Sequence, residues 1–113
     1  MIGMSSYAEV GKWLESKGIG CYLQGPDQMI VSEKNPAMPG SNCFWLTLRE
    51  TDWYIGTWLP AAYHVPPAQD IQEVCESVFR SSTTAIYSIS NDLVTRFNLH
   101  RLTDKQMEEL GFT

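Results

Sequence analysis

The chain has 113 residues, 43% of them hydrophobic and 19% charged, with a formal net charge of −5. That length and balance describe one globular domain, expected to run from residue 1 to 113, rather than a disordered tail. With 8 Lys and Arg against 13 Asp and Glu, and no basic cluster, the composition argues against a nucleic-acid binder and against a polybasic membrane anchor.

The N-terminal stretch has neither a basic start nor an apolar run, so it does not read as a secretory signal, and no segment is long and apolar enough to cross a bilayer. Cysteines 21, 43 and 75 are odd in number and form no CxxC. The expectation is a cytoplasmic protein with reduced thiols, no disulfide framework and no zinc.

In chain order, a first helix is expected over Tyr7–Lys17. Ser6 and Glu9 match a capping box, Tyr7, Val10 and Leu14 form an apolar stripe with Trp13 beside it, and Gly18 stands at the expected C-terminal cap. Gly11 inside this helix lowers its propensity and marks a place where the helix packs closely on a sheet. Two strands follow, Ile19–Gln24 and Gln28–Glu33, around Gly25-Pro26-Asp27, a turn that would pair Leu23 with Ile30 and Tyr22 with Val31. The nine residues Lys34–Asn42, broken by two prolines, form a long connector.

The most aromatic stretch, Asn42–Pro60, reads as a second hairpin with strands Cys43–Arg49 and Trp53–Leu59. Alternation puts Phe44, Leu46, Leu48, Trp53, Ile55, Thr57 and Leu59 on one face, the natural core side. With a Thr51-Asp52 loop, the other face carries Trp45 opposite Trp58, Thr47 opposite Gly56 and Arg49 opposite Tyr54, with Cys43 at its end. Pro60–Pro67 reads as an extended corner. A second helix follows over Ala68–Arg80, with Ile71, Val74, Cys75, Val78 and Phe79 on its apolar side. A fifth strand is expected at Thr84–Ile89, and Ser90 caps a brief helix over Leu93, Val94 and Phe97. The last helix, Asp104–Leu110, combines a Thr103/Gln106 capping box, a Leu102/Met107 staple and Gly111 at its end.

The fold class that results is α+β: a two-layer sandwich of a mainly antiparallel sheet, two sequential hairpins plus a fifth strand, with helices packed on one face. The order of elements resembles that of small secretion-chaperone-like and other two-layer α+β adaptor domains. The likeness is architectural and implies no activity.

Two tryptophans on a sheet face that ordinarily meets water need an explanation. They are covered by a helix or loop of the same chain, or they form a dimer or partner surface, or they line a small-molecule pocket. Trp, Tyr and Arg are the residues enriched at interface anchors, so Trp45, Arg49, Tyr54, Gly56 and Trp58 are the expected surface for a homodimer or another protein. The last helix is the element best placed to cover it. The alternative is a small-molecule binder or a minor thiol- or His-dependent enzyme using Cys43, Tyr63 and His64 near the long connector. A Cys43–His64 pair would need an imidazolium-stabilised thiolate, and no nucleophile elbow or glycine-rich oxyanion loop supports one. No motif for a metal, nucleotide or other cofactor is present, so none is expected, and catalysis is the less favoured outcome.

Overall fold

The computed structural model describes residues 6–25, 28–33, 44–57, 61–81 and 89–111. Six strands form one antiparallel sheet in which every strand lies beside its sequence neighbour: β1 (Ile19–Leu23), β2 (Met29–Glu33), β3 (Phe44–Arg49), β4 (Asp52–Gly56), β5 (Ala62–Val65) and β6 (His100–Arg101). The helices are α1 (Tyr7–Ser16), α2 (Ile71–Arg80), α3 (Asn91–Arg96) and α4 (Asp104–Leu110). The expected α+β class is therefore correct.

One sheet face holds the main core. Phe44, Leu46, Trp53, Ile55, Tyr63 and Val65 meet Val10 and Leu14 of α1, the Ile71, Val74, Cys75 and Val78 stripe of α2, and Leu93 of α3. Burial of such side chains stabilises by about 1.5–3 kcal/mol each, which is why the period-two strands and period-3.6 helices align their apolar sides here. Gly11 permits the close approach of α1. Its carbonyl accepts from the Cys21 thiol at 3.5 Å, and a Cβ at that position would lie 3.4 Å from Cys21 Sγ. Tyr7 stacks edge-on against Trp53 at 5.3 Å, and its hydroxyl accepts from the Leu48 amide at 2.7 Å.

The helix ends follow the capping chemistry. Ser6 accepts from the Glu9 amide, and Thr103 and Gln106 form the complete reciprocal box with Gly111 left-handed at the C-cap (φ 81°). α2 starts later than expected. Asp70 is its N-cap and accepts from the Gln72 amide at 3.0 Å, so Ala68 and Gln69 lie before the helix.

Both hairpin registers differ from the sequence-based expectation. The β3–β4 loop is Glu50-Thr51, with Trp45 opposite Gly56, Thr47 opposite Tyr54 and Arg49 opposite Asp52. Glu50 takes φ 56°, the left-handed conformation that a tight primed turn demands at its first position. The shift moves each partner by two residues, an even number, so the two faces keep their expected membership. In the first hairpin the Gln24 amide donates to the Gln28 carbonyl at 2.7 Å, and Tyr22 faces Ile30 while Leu23 faces Met29. This one-residue correction puts Val31 with Cys21 on the core side and Tyr22 with Ile30 on the outer side.

The corner at Pro60–Pro67 contains a strand, β5, which pairs with β4. The expected strand at Thr84–Ile89 falls on residues 82–88, outside those described, apart from Ile89, which is buried and in no strand. The long connector at 34–42 also lies outside them.

Candidate functional site

Beside the Gly20–Ser32 pair at one end, the outer face carries further cross-strand rows. The longest runs Tyr22, Ile30, Trp45, Gly56 and Ala62 across β1 to β5. The next runs Thr47, Tyr54, His64 and His100 across β3 to β6. The third pairs Arg49 with Asp52 beside the Glu50-Thr51 turn.

α4 covers one half of this face. Ala62, Leu102 and Met107 form a second small core, joined by Tyr54 and Leu110. Leu102 donates its amide to the Ala62 carbonyl at 2.8 Å, which delivers the chain from the sheet edge onto the outer side. Arg49 then reaches the end of α4, where Nη2 donates to the Leu110 carbonyl at 3.3 Å. That contact places a cation at the negative end of the helix dipole. Three helices thus occupy the inner face and the fourth the outer, a departure from the one-sided layering expected of the fold.

The other half holds Tyr22, Ile30 and Trp45. Among the described residues these three belong to neither apolar core. Ile30 and Trp45 are half-buried, and Tyr22 is 59% exposed. Leu23, beside it on the sheet edge, is 57% exposed. Ordinary surfaces scatter such side chains singly; here they adjoin along one row and one edge.

A polar strip lies beside the α4 contact. His64 Nε2 stands 3.5 Å from Asp52 Oδ1, the Tyr54 and His64 rings are 5.2 Å apart, and the His64 and His100 rings 6.2 Å apart. Burial pushes the Tyr54 hydroxyl above its ordinary range, and the Asp52 and Glu50 carboxylates push it further in the same direction.

The expected residues are therefore distributed as follows. Trp45, Arg49, Tyr54 and Gly56 share the outer face, but Arg49 and Tyr54 do not face each other, and Gly56 is buried opposite Trp45. Trp58 and Cys43 lie outside the described residues. Tyr63 and His64 do not converge: they are adjacent in β5, so Tyr63 enters the main core and His64 faces outward. Cys21 and Cys75 are free thiols whose ionisation burial opposes, with the Glu15 carboxylate adding to the effect at Cys21. Among the described residues no three His, Cys, Asp or Glu side chains come together as a metal site. Sequence reasoning missed Tyr22 and Ile30, because the first hairpin's register decides which of its residues face outward.

A separate open groove of about 450 Å³ lies between α2 and α3, lined by Glu76, Ser77, Arg80, Ser81, Leu93 and Arg96. Arg80 is engaged there by Glu76 at 3.3 Å and by the Lys17 carbonyl at 3.3 Å. No described helix is long and apolar enough to cross a membrane.

Comparison with protein-family models, with curated proteins and with solved structures finds no match in any of the three.

Proposed function

We propose that the protein is a non-catalytic interaction module that self-associates through the aromatic outer face of its sheet. The observation that carries this reading is the exposure at the β1 end of the sheet, where Tyr22, in one row with Ile30 and Trp45, is 59% exposed and Leu23 beside it is 57% exposed. An aromatic and aliphatic row beside polar Thr47 and Ser32 has the makeup of an interface centre with a polar rim. The thiol chemistry points the same way, since burial holds Cys21 and Cys75 protonated and poor as nucleophiles. A reducing cytoplasm suits those free thiols. Of the residues of the pocket alternative, Tyr63 packs in the main core and His64 faces outward, which favours the surface reading.

Sedimentation velocity over a wide concentration range tests the proposal. Wild type is expected to sediment as a dimer. Trp45→Ala is expected to stay folded and dissociate at least ~30-fold more readily, the equivalent of the roughly 2 kcal/mol that a central aromatic anchor supplies. A wild type that remains monomeric at millimolar concentration overturns self-association. A thermal-shift screen that finds a stabilising metabolite would instead favour a ligand-binding protein.

A further inference from the structure

The polar strip on the outer face holds both histidines of the chain. His64 of β5 and His100 of β6 are direct cross-strand partners, so their side chains rise from the same face at neighbouring positions. The two rings lie 6.2 Å apart, centroid to centroid, with their planes inclined by 35°. His64 keeps 24% of its side chain exposed, and His100 is exposed. Among the described residues no hydrogen bond engages the ring of His100, and the polar contact of the His64 ring is with Asp52. Arg101, the cation next to His100 in the chain, pairs with Tyr63 and so belongs to the opposite face.

We infer that His64 and His100 together chelate a first-row divalent transition-metal ion, each giving one imidazole nitrogen, with water completing the coordination. Metal–imidazole bonds of about 2.0–2.1 Å put the centroids of two rings on one ion about 5–6.5 Å apart. The 6.2 Å separation therefore calls for rotation of the two side chains and no movement of either strand. Neutral imidazole suits Ni²⁺, Cu²⁺ and Zn²⁺, whereas Mg²⁺ and Ca²⁺ prefer oxygen ligands. Asp52 supports the arrangement from behind. Its Oδ1 stands 3.5 Å from His64 Nε2, which leaves Nδ1 as that ring's ligating nitrogen. A carboxylate beside the other nitrogen of a ligating histidine orients the ring and raises its basicity. Asp52 is thus an outer partner and not a third ligand, in keeping with the lack of a three-group cluster among the described residues.

The pair lies within one copy of the chain, so it does not depend on self-association. The net charge of −5 favours the approach of a cation. With two protein ligands rather than the four of a structural zinc centre, the ion binds reversibly, and its water positions stay open to a further ligand. No sequence motif announces such a site, because its two ligands come from strands that α2 and α3 separate in the chain.

Calorimetric titration of the full, untagged chain with Ni²⁺ alone tests the site, since this ion binds imidazole without oxidising thiols. Wild type is expected to bind one ion per chain with a micromolar dissociation constant. His64→Gln and His100→Gln should each weaken binding at least tenfold and the double variant little further, because losing either arm abolishes chelation. Asp52→Asn should weaken it about tenfold with the stoichiometry kept. Circular dichroism checks that the variants fold. Nuclear magnetic resonance of wild type needs no variant: substoichiometric Ni²⁺ should broaden the ring protons of His64 and His100 together and before any others. No binding up to millimolar Ni²⁺, undiminished affinity in either histidine variant, or broadening centred elsewhere overturns the chelate. Undiminished affinity in Asp52→Asn overturns the role given to the carboxylate.

Discussion

Met107→Ala probes the contact that divides the outer face. Met107 is 2% exposed and packs with Ala62, at 0%, and Leu102. Met→Ala in a core costs about 2–5 kcal/mol, the spread reflecting how far the site can collapse. Here the cluster has three buried members and its roof is a seven-residue helix, so the cost is bounded by the free energy that docks α4. The lower end, about 2 kcal/mol, is the expected value, and it corresponds to a urea midpoint about 1 M lower. The Leu102 amide, held by the Ala62 carbonyl at 2.8 Å, is the local reporter. Its exchange should accelerate ~30-fold, together with the amides of α4. A midpoint shift under ~0.2 M with unchanged Leu102 exchange would refute the view that Met107 fastens α4 to the sheet.

Gly11→Ala should raise the melting temperature, since helix propensity gains about 0.8–1.0 kcal/mol and the new Cβ meets Cys21 Sγ at 3.4 Å and Met29 Cε at 3.6 Å, ordinary contact distances. Gly11→Leu should lower it by overpacking the same gap, and a rise with both variants would show that α1 does not press on the sheet there. Because Tyr54 ionises above the ordinary tyrosine range in the folded state, its contribution to stability is intact below about pH 10 and is lost as pH rises through the folded value. Absorbance titration of wild type against Tyr54→Phe checks this; a Tyr54 inflexion at or below about pH 10 contradicts it.

Much of the fold was legible because parity is robust. The two-residue displacement of partners in the β3–β4 hairpin changed every pair and no face, so Phe44, Leu46 and Ile55 were identifiable as core without the correct turn. The β1–β2 hairpin shows the opposite sensitivity. There a one-residue change moved Val31 from beside Tyr22 to the core side, and a Pro-containing loop gave no local signal for the correct choice. β5 was read as a corner because Pro60, Pro66 and Pro67 bracket only a short apolar run, and its strand state is decided by pairing with β4 rather than by propensity. The caps of α1 and α4 were readable since they are local hydrogen-bond chemistry. Of the site, Trp45, Arg49, Tyr54 and Gly56 were placed on the right face, while the division of that face by α4 depends on contacts between distant segments.

The strand order follows the chain without a crossover, and this sets a timetable. The first five strands can zip in the order they leave the ribosome across short connections, as suits rapid folding, whereas β6 joins only after α2 and α3 have followed. α4, which seals Ala62 and Tyr54, comes after all six strands. Until it is made, Ala62 and Tyr54 lack their roof, and the Thr103 cap and Met107 mark the moment when that patch is withdrawn from water.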